Sequence, residues 1–150
     1  MVEFETDEEI LELAISREEE ARVFLLTLAG RMIKPEMRKV FEDLADEELE
    51  HKARLELEVI KKGRVVTATK QLQYEAKDYA EPAGTDIDMD YKDILIMAMQ
   101  KEEASFRLYV DLASRVTHED AYETLLALAE EEVRHKLRFE MEYDNLLKAG

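Results

Sequence analysis

The residues able to do chemistry stand in two matching groups. Glu48-x-x-His51 recurs as Glu132-x-x-His135. Residues three apart share one helix face, so each pair aims a carboxylate and an imidazole the same way. Moving the chain by 84 residues (His51 onto His135) also lays Glu18 on Glu102, Leu44-Ala45 on Leu128-Ala129 and His51-Lys52 on His135-Lys136. Glu18 lies between Leu11 and Leu25 at the seven-residue spacing of a buried stripe. The other stripes read Phe41, Leu44, Glu48, His51, Leu55, then Leu95, Ala98, Glu102, Ser105, Tyr109, Leu112, and finally Leu125, Leu128, Glu132, His135, Phe139. Four carboxylates and two imidazoles therefore face one interior.

An isolated buried ion costs several kcal/mol, and like charges together add to that. No Lys or Arg occupies the central stripe positions. Two divalent cations would cancel four carboxylates, and two neutral imidazoles would complete their coordination. One Glu from each of two helices, with Glu-x-x-His from each of the other two, is the di-iron or di-manganese carboxylate pattern. Glutamate is abundant here, and chance alone would put it three residues before two of three histidines in roughly one chain in thirty of this composition. The shared offset and the stripe placement argue against coincidence, leaving a metal site, or a degenerate one that keeps the residues without metal. The predicted metal ligands are Glu18, Glu48, His51, Glu102, Glu132 and His135. Tyr109 lies about two turns past Glu102, where its hydroxyl could bond a metal-bound carboxylate.

Such a site needs four long helices. Gly and Pro number only four and two in 150 residues. Thr6 with Glu9 reads as a capping box opening a helix to about Gly30, and Pro35 as the first turn of a second helix to about Lys62-Gly63. Residues 63–85 lose the helical period and read as a long crossover with a short strand or helical turn. A third helix is expected from Asp86–Asp90 to about Val116. Thr117 with Asp120 reads as the cap of a fourth helix reaching nearly to the end. The equal offset makes this a duplicated helical hairpin: an all-α, ferritin-like four-helix bundle with one crossover, expected as one domain over residues 1–150.

Composition excludes other classes. Thirty-seven acids against 21 Lys plus Arg leave a formal charge of −16, which repels nucleic-acid backbones and anionic membranes. Without cysteine there is no disulfide framework, zinc finger or thiolate iron centre. The acidic start is unlike a secretory leader, so a cytoplasmic protein is expected. His118 reads as a surface or capping residue. Glu19, Glu20, Glu47, Glu103, Glu130 and Glu131 read as solvated helix faces.

The segments Ala14–Ala21, Leu44–His51 and Leu128–His135 resemble the helix motifs of the rubrerythrin branch of the ferritin-like superfamily, over nearly the whole chain. The resemblance implies a pair of iron ions (or manganese, or a mixed pair) held by those six ligands, with Glu48 and Glu132 as bridges. It further implies a di-iron oxidoreductase reducing hydrogen peroxide or dioxygen, and a homodimer. Two features depart from that branch. Where rubrerythrins carry a second Glu one turn after the third-helix ligand, this chain has Ser105, so a ligand exchange there has no carboxylate to use. Their cysteine-held, rubredoxin-like domain is missing, so electrons would come from a separate donor protein. Two other functions compete: a ferroxidase or iron-binding protein, and a metal-stabilised sensor or interaction module without turnover.

Overall fold

The computed structural model describes residues 4–61 and 90–149. They form four helices: α1 (Asp7–Arg31), α2 (Pro35–Lys61), α3 (Tyr91–Ala113) and α4 (Glu119–Ala149). No strand occurs among the described residues. The expected crossover, with its possible short strand, lies outside them, as do Asp86 and Asp88.

The start of α1 follows the capping box. The Thr6 hydroxyl accepts from the Glu9 N–H at 3.3 Å, and the Glu9 carboxylate accepts from the Thr6 N–H at 3.2 Å. The helix continues through Gly30 and stops when Met32 turns extended. Pro35 then opens α2, its fixed φ suiting a first turn where no N–H partner exists. The third helix ends at Ala113, three residues before the expected Val116, and α4 starts at Glu119 rather than directly after Thr117.

The turn between these helices is held from α1. The buried Asp7 carboxylate accepts from the backbone N–H groups of Thr117 and His118, each at 2.9 Å, and from His118 Nδ1 at 2.8 Å. The Thr117 hydroxyl also turns to Asp7, at 3.3 Å, instead of capping its own helix. The α3–α4 turn is thus pinned to the first residue of α1.

Packing is dense within each hairpin, α1 on α2 and α3 on α4, and lighter between hairpins, where α2 lies beside α4 and α1 beside α3. The apolar core falls into two clusters. One gathers Leu11, Ile15, Leu55, Leu112 and Leu125. The other gathers Leu28, Phe41, Leu44, Leu95 and Phe139, with the Phe41 and Phe139 rings 5.7 Å apart. Between them, at mid-height, the stripes carry ionisable groups.

Candidate metal centre

All six predicted ligands are buried: Glu18, Glu48 and Glu132 are 1% exposed, His51 1%, His135 2% and Glu102 5%. The fold brings them together. The two imidazoles stack, centroids 5.5 Å apart and planes 6° from parallel, with both Nδ1 atoms on the carboxylates. His51 Nδ1 lies 3.1 Å from Glu48, 3.5 Å from Glu18 and 3.6 Å from Glu132. His135 Nδ1 lies 3.4 Å from Glu132, 3.4 Å from Glu102 and 3.5 Å from Glu48. Glu48 and Glu132 each reach both rings, whereas Glu18 lies with His51 and Glu102 with His135. Ligand atoms of Glu48, His51, Glu132 and His135 fall within 4.8 Å of one another.

The polar atoms here are not satisfied by the protein. Glu18 Oε1, both oxygens of Glu48, both of Glu132, and the Nδ1 atoms of His51 and His135 are buried without hydrogen-bond partners. Buried polar groups are nearly always paired. Seven lone-pair atoms converging without a donor fit a cation, and their carboxylate and imidazole chemistry suits divalent iron or manganese.

Charge repulsion appears as displaced acidities. Burial, then the neighbouring Glu18 charge, lifts Glu102 to about 8. Burial and the surrounding carboxylates raise Glu48 and Glu132 well above the ordinary range. For His51, burial acts downward, but Glu18 and Glu132 outweigh it and raise the imidazole. Without metal, the fold holds protons that a cation pair would replace.

The sequence reading missed the groups that hold the rings. His51 Nε2 donates to Glu131 at 2.8 Å, and His135 Nε2 donates to Glu47 at 3.0 Å. These bonds run crosswise between α2 and α4, and assign the ring proton to Nε2, leaving Nδ1 free to bind metal. Glu47 and Glu131 therefore hold the two imidazoles, while the Glu47 side chain, 45% exposed, also keeps the solvated position expected of it. The available signal was the duplicated offset itself, which repeats Glu-Glu-x-x-His in both halves. Glu20 is likewise buried, 3.3 Å from Arg17. Glu19 and Glu103, also repeat-related, take matching bonds from Lys52 and Lys136 at 3.2 and 3.1 Å.

The two ends of the site differ. Tyr109 is fully buried and its hydroxyl donates to Glu18. Burial, then the Glu18 and Glu132 charges, keeps this phenol protonated far above its usual range. Its counterpart in α1 is Leu25. Arg54 pairs with Glu131 behind His51, whereas the counterpart Arg138 pairs with Asp43 at 3.5 Å. His118 caps the α3–α4 turn as expected, far along the chain from any predicted ligand.

The family model described as Rubrerythrin matches residues 9–143, a span containing all six predicted ligands. A hypothetical protein from Pyrococcus furiosus has a similar solved structure, with a TM-score of 0.65, 24% identity, and coverage of 95% of this chain and 91% of that one. At that identity the likeness is one of fold. No match was found among curated proteins. No described helix is long and apolar enough to cross a membrane.

Proposed function

The chain belongs to the rubrerythrin family, and from that premise we propose that it is a non-haem di-iron oxidoreductase that reduces hydrogen peroxide. The supporting observation is the convergence of unpartnered Glu and His atoms at the bundle centre. Glu18, Glu48, His51, Glu102, Glu132 and His135 would hold the irons, with Glu18 beside His51, Glu102 beside His135, and Glu48 and Glu132 within reach of both imidazoles. With both irons bound, the pair would supply two electrons and polarise the peroxide oxygens.

The chain's own groups set the conditions. Glu131 and Glu47 hold the two imidazoles by Nε2, so the Nδ1 lone pairs stay fixed toward the site. The Tyr109 hydroxyl holds the Glu18 carboxylate and keeps its own proton. The apolar clusters above and below exclude water along the bundle axis, which strengthens electrostatic interactions within. A separate donor protein would supply the electrons.

The test is stopped-flow oxidation of anaerobic, ferrous-loaded protein by hydrogen peroxide and, separately, by dioxygen. Faster oxidation by peroxide, at two ferrous ions per chain, is expected. Faster oxidation by dioxygen would move the function to a ferroxidase or oxygen-activating enzyme. Failure to bind iron would overturn the reading altogether.

A further inference from the structure

A cavity of about 540 Å³ opens between α1 and α3 and ends at Glu102. The repeat-related positions Ala21 and Ser105 both line it and carry small side chains. Both are only partly buried. The inner wall is apolar, formed by Phe24, Leu25, Leu108 and Phe139, while Arg17, Gln100 and Lys101 line its exposed side. Lys101 Nζ sits 4.7 Å over the Phe24 ring and holds that wall in place.

Size decides what this space is for. Hydrogen peroxide needs little more than two waters, each about 30 Å³ of liquid volume. The cavity is roughly an order of magnitude larger, and its volume falls in the few-hundred to one-thousand Å³ range of organic-ligand sites. Its single carboxylate, Glu102, belongs to the metal centre, so the inner part of the cavity fits a ligand with an apolar body and a reactive tip.

We propose that this cavity binds organic hydroperoxides, with the apolar body between α1 and α3 and the O–O group beside Glu102. The proposal rests on the peroxide-reducing function above and names its substrate class. The reaction is ROOH + 2e⁻ + 2H⁺ → ROH + H2O. The O–O bond breaks, a separate donor protein supplies the two electrons, and solvent protons go one to each oxygen.

The experiment has a binding arm and a turnover arm. Cumyl alcohol, the product of cumene hydroperoxide, is titrated into metal-free protein and followed by proton NMR. Saturable binding is expected, and it is lost in Ala21→Leu, which fills the cavity. Leu108→Ala enlarges the cavity and is expected to keep binding, so a folding defect in one variant does not decide the matter. In iron-loaded protein, Ala21→Leu lowers kcat/KM for cumene hydroperoxide at least tenfold relative to that for hydrogen peroxide. If the alcohol does not bind, or binds Ala21→Leu equally, something else covers the cavity, a second copy of this chain included, and the inference falls while hydrogen peroxide reduction can stand. If neither peroxide is reduced, the function on which it rests falls with it.

Discussion

The metal-free protein should lose stability as pH rises through neutrality, the reverse of ordinary acid denaturation. Glu102, near 4.5 when unfolded, titrates near 8 in the fold. A carboxylate raised by folding is held protonated in the folded state while the unfolded chain has already released its proton. Stability is therefore highest below the unfolded value and falls until pH passes the folded one. Between pH 5.5 and 7.5 the folded state keeps almost one extra proton at this group, a slope of about 1.4 kcal/mol per pH unit. Over that window Glu102 alone costs about 2.5 kcal/mol, a large share of a total that rarely exceeds about 15 kcal/mol. The corresponding fall in melting temperature is about 8 °C. Glu48, Glu132 and His51 are shifted upward too, and a raised imidazole also loses its contribution as pH rises, so they act in the same direction. Asp7, Glu19 and Glu131 are lowered, so their contributions are complete above the window's lower edge. Thermal melts by circular dichroism, with chelator and with saturating Mn(II), measure the effect. The loaded protein should hold or gain stability across the same window, because metal binding releases those protons. Net charge also grows with pH, so Glu102→Gln isolates the site by removing about 1.4 kcal/mol per pH unit of slope. A metal-free melting temperature that is flat or rising from pH 5.5 to 7.5 would refute the reasoning.

Other perturbations have defined outcomes. Glu131→Ala and Glu47→Ala, which release His51 and His135 respectively, should each weaken metal binding about 10–100-fold without abolishing it, as read by chelator competition. Asp7→Ala removes the acceptor for the α3–α4 turn and should cost about 1–2 kcal/mol in urea unfolding at pH 7. Burial alone would raise Asp7, but the Thr117 and His118 bonds outweigh it and lower it, so the wild-type advantage should be complete above about pH 4 and vanish in stronger acid. Gly30 is helical and a methyl group there would meet nothing within 4 Å, so Gly30→Ala should stabilise by about 0.5–1 kcal/mol in the same assay.

The buried Glu and His cluster was legible because a polar residue in an apolar stripe stands out, and because the stripe obeys one helix's geometry. Glu18, Glu48, His51 and their repeats needed only the helical period. Glu47 and Glu131 needed more. Each lies one residue before a ligand and points sideways on its own helix, so its role exists only once α2 and α4 are neighbours. The cavity was not legible for a similar reason: Ala21 and Ser105 line a void only where two helices face. The Thr117 cap failed because local propensity favoured it while a carboxylate 110 residues away took the hydroxyl.

The crosswise bonds have a consequence for how such a chain could arise and be divided. Each hairpin contributes one Glu18-type ligand and one Glu-x-x-His, yet Glu48 reaches His135 and Glu132 reaches His51. Neither hairpin closes a coordination sphere on itself. A single hairpin could assemble the same Glu and His cluster only by pairing with an identical copy, with a bound cation as the clasp. Severing the present chain between its halves should recreate that condition: two fragments whose complementation is titrated by metal rather than by peptide connectivity.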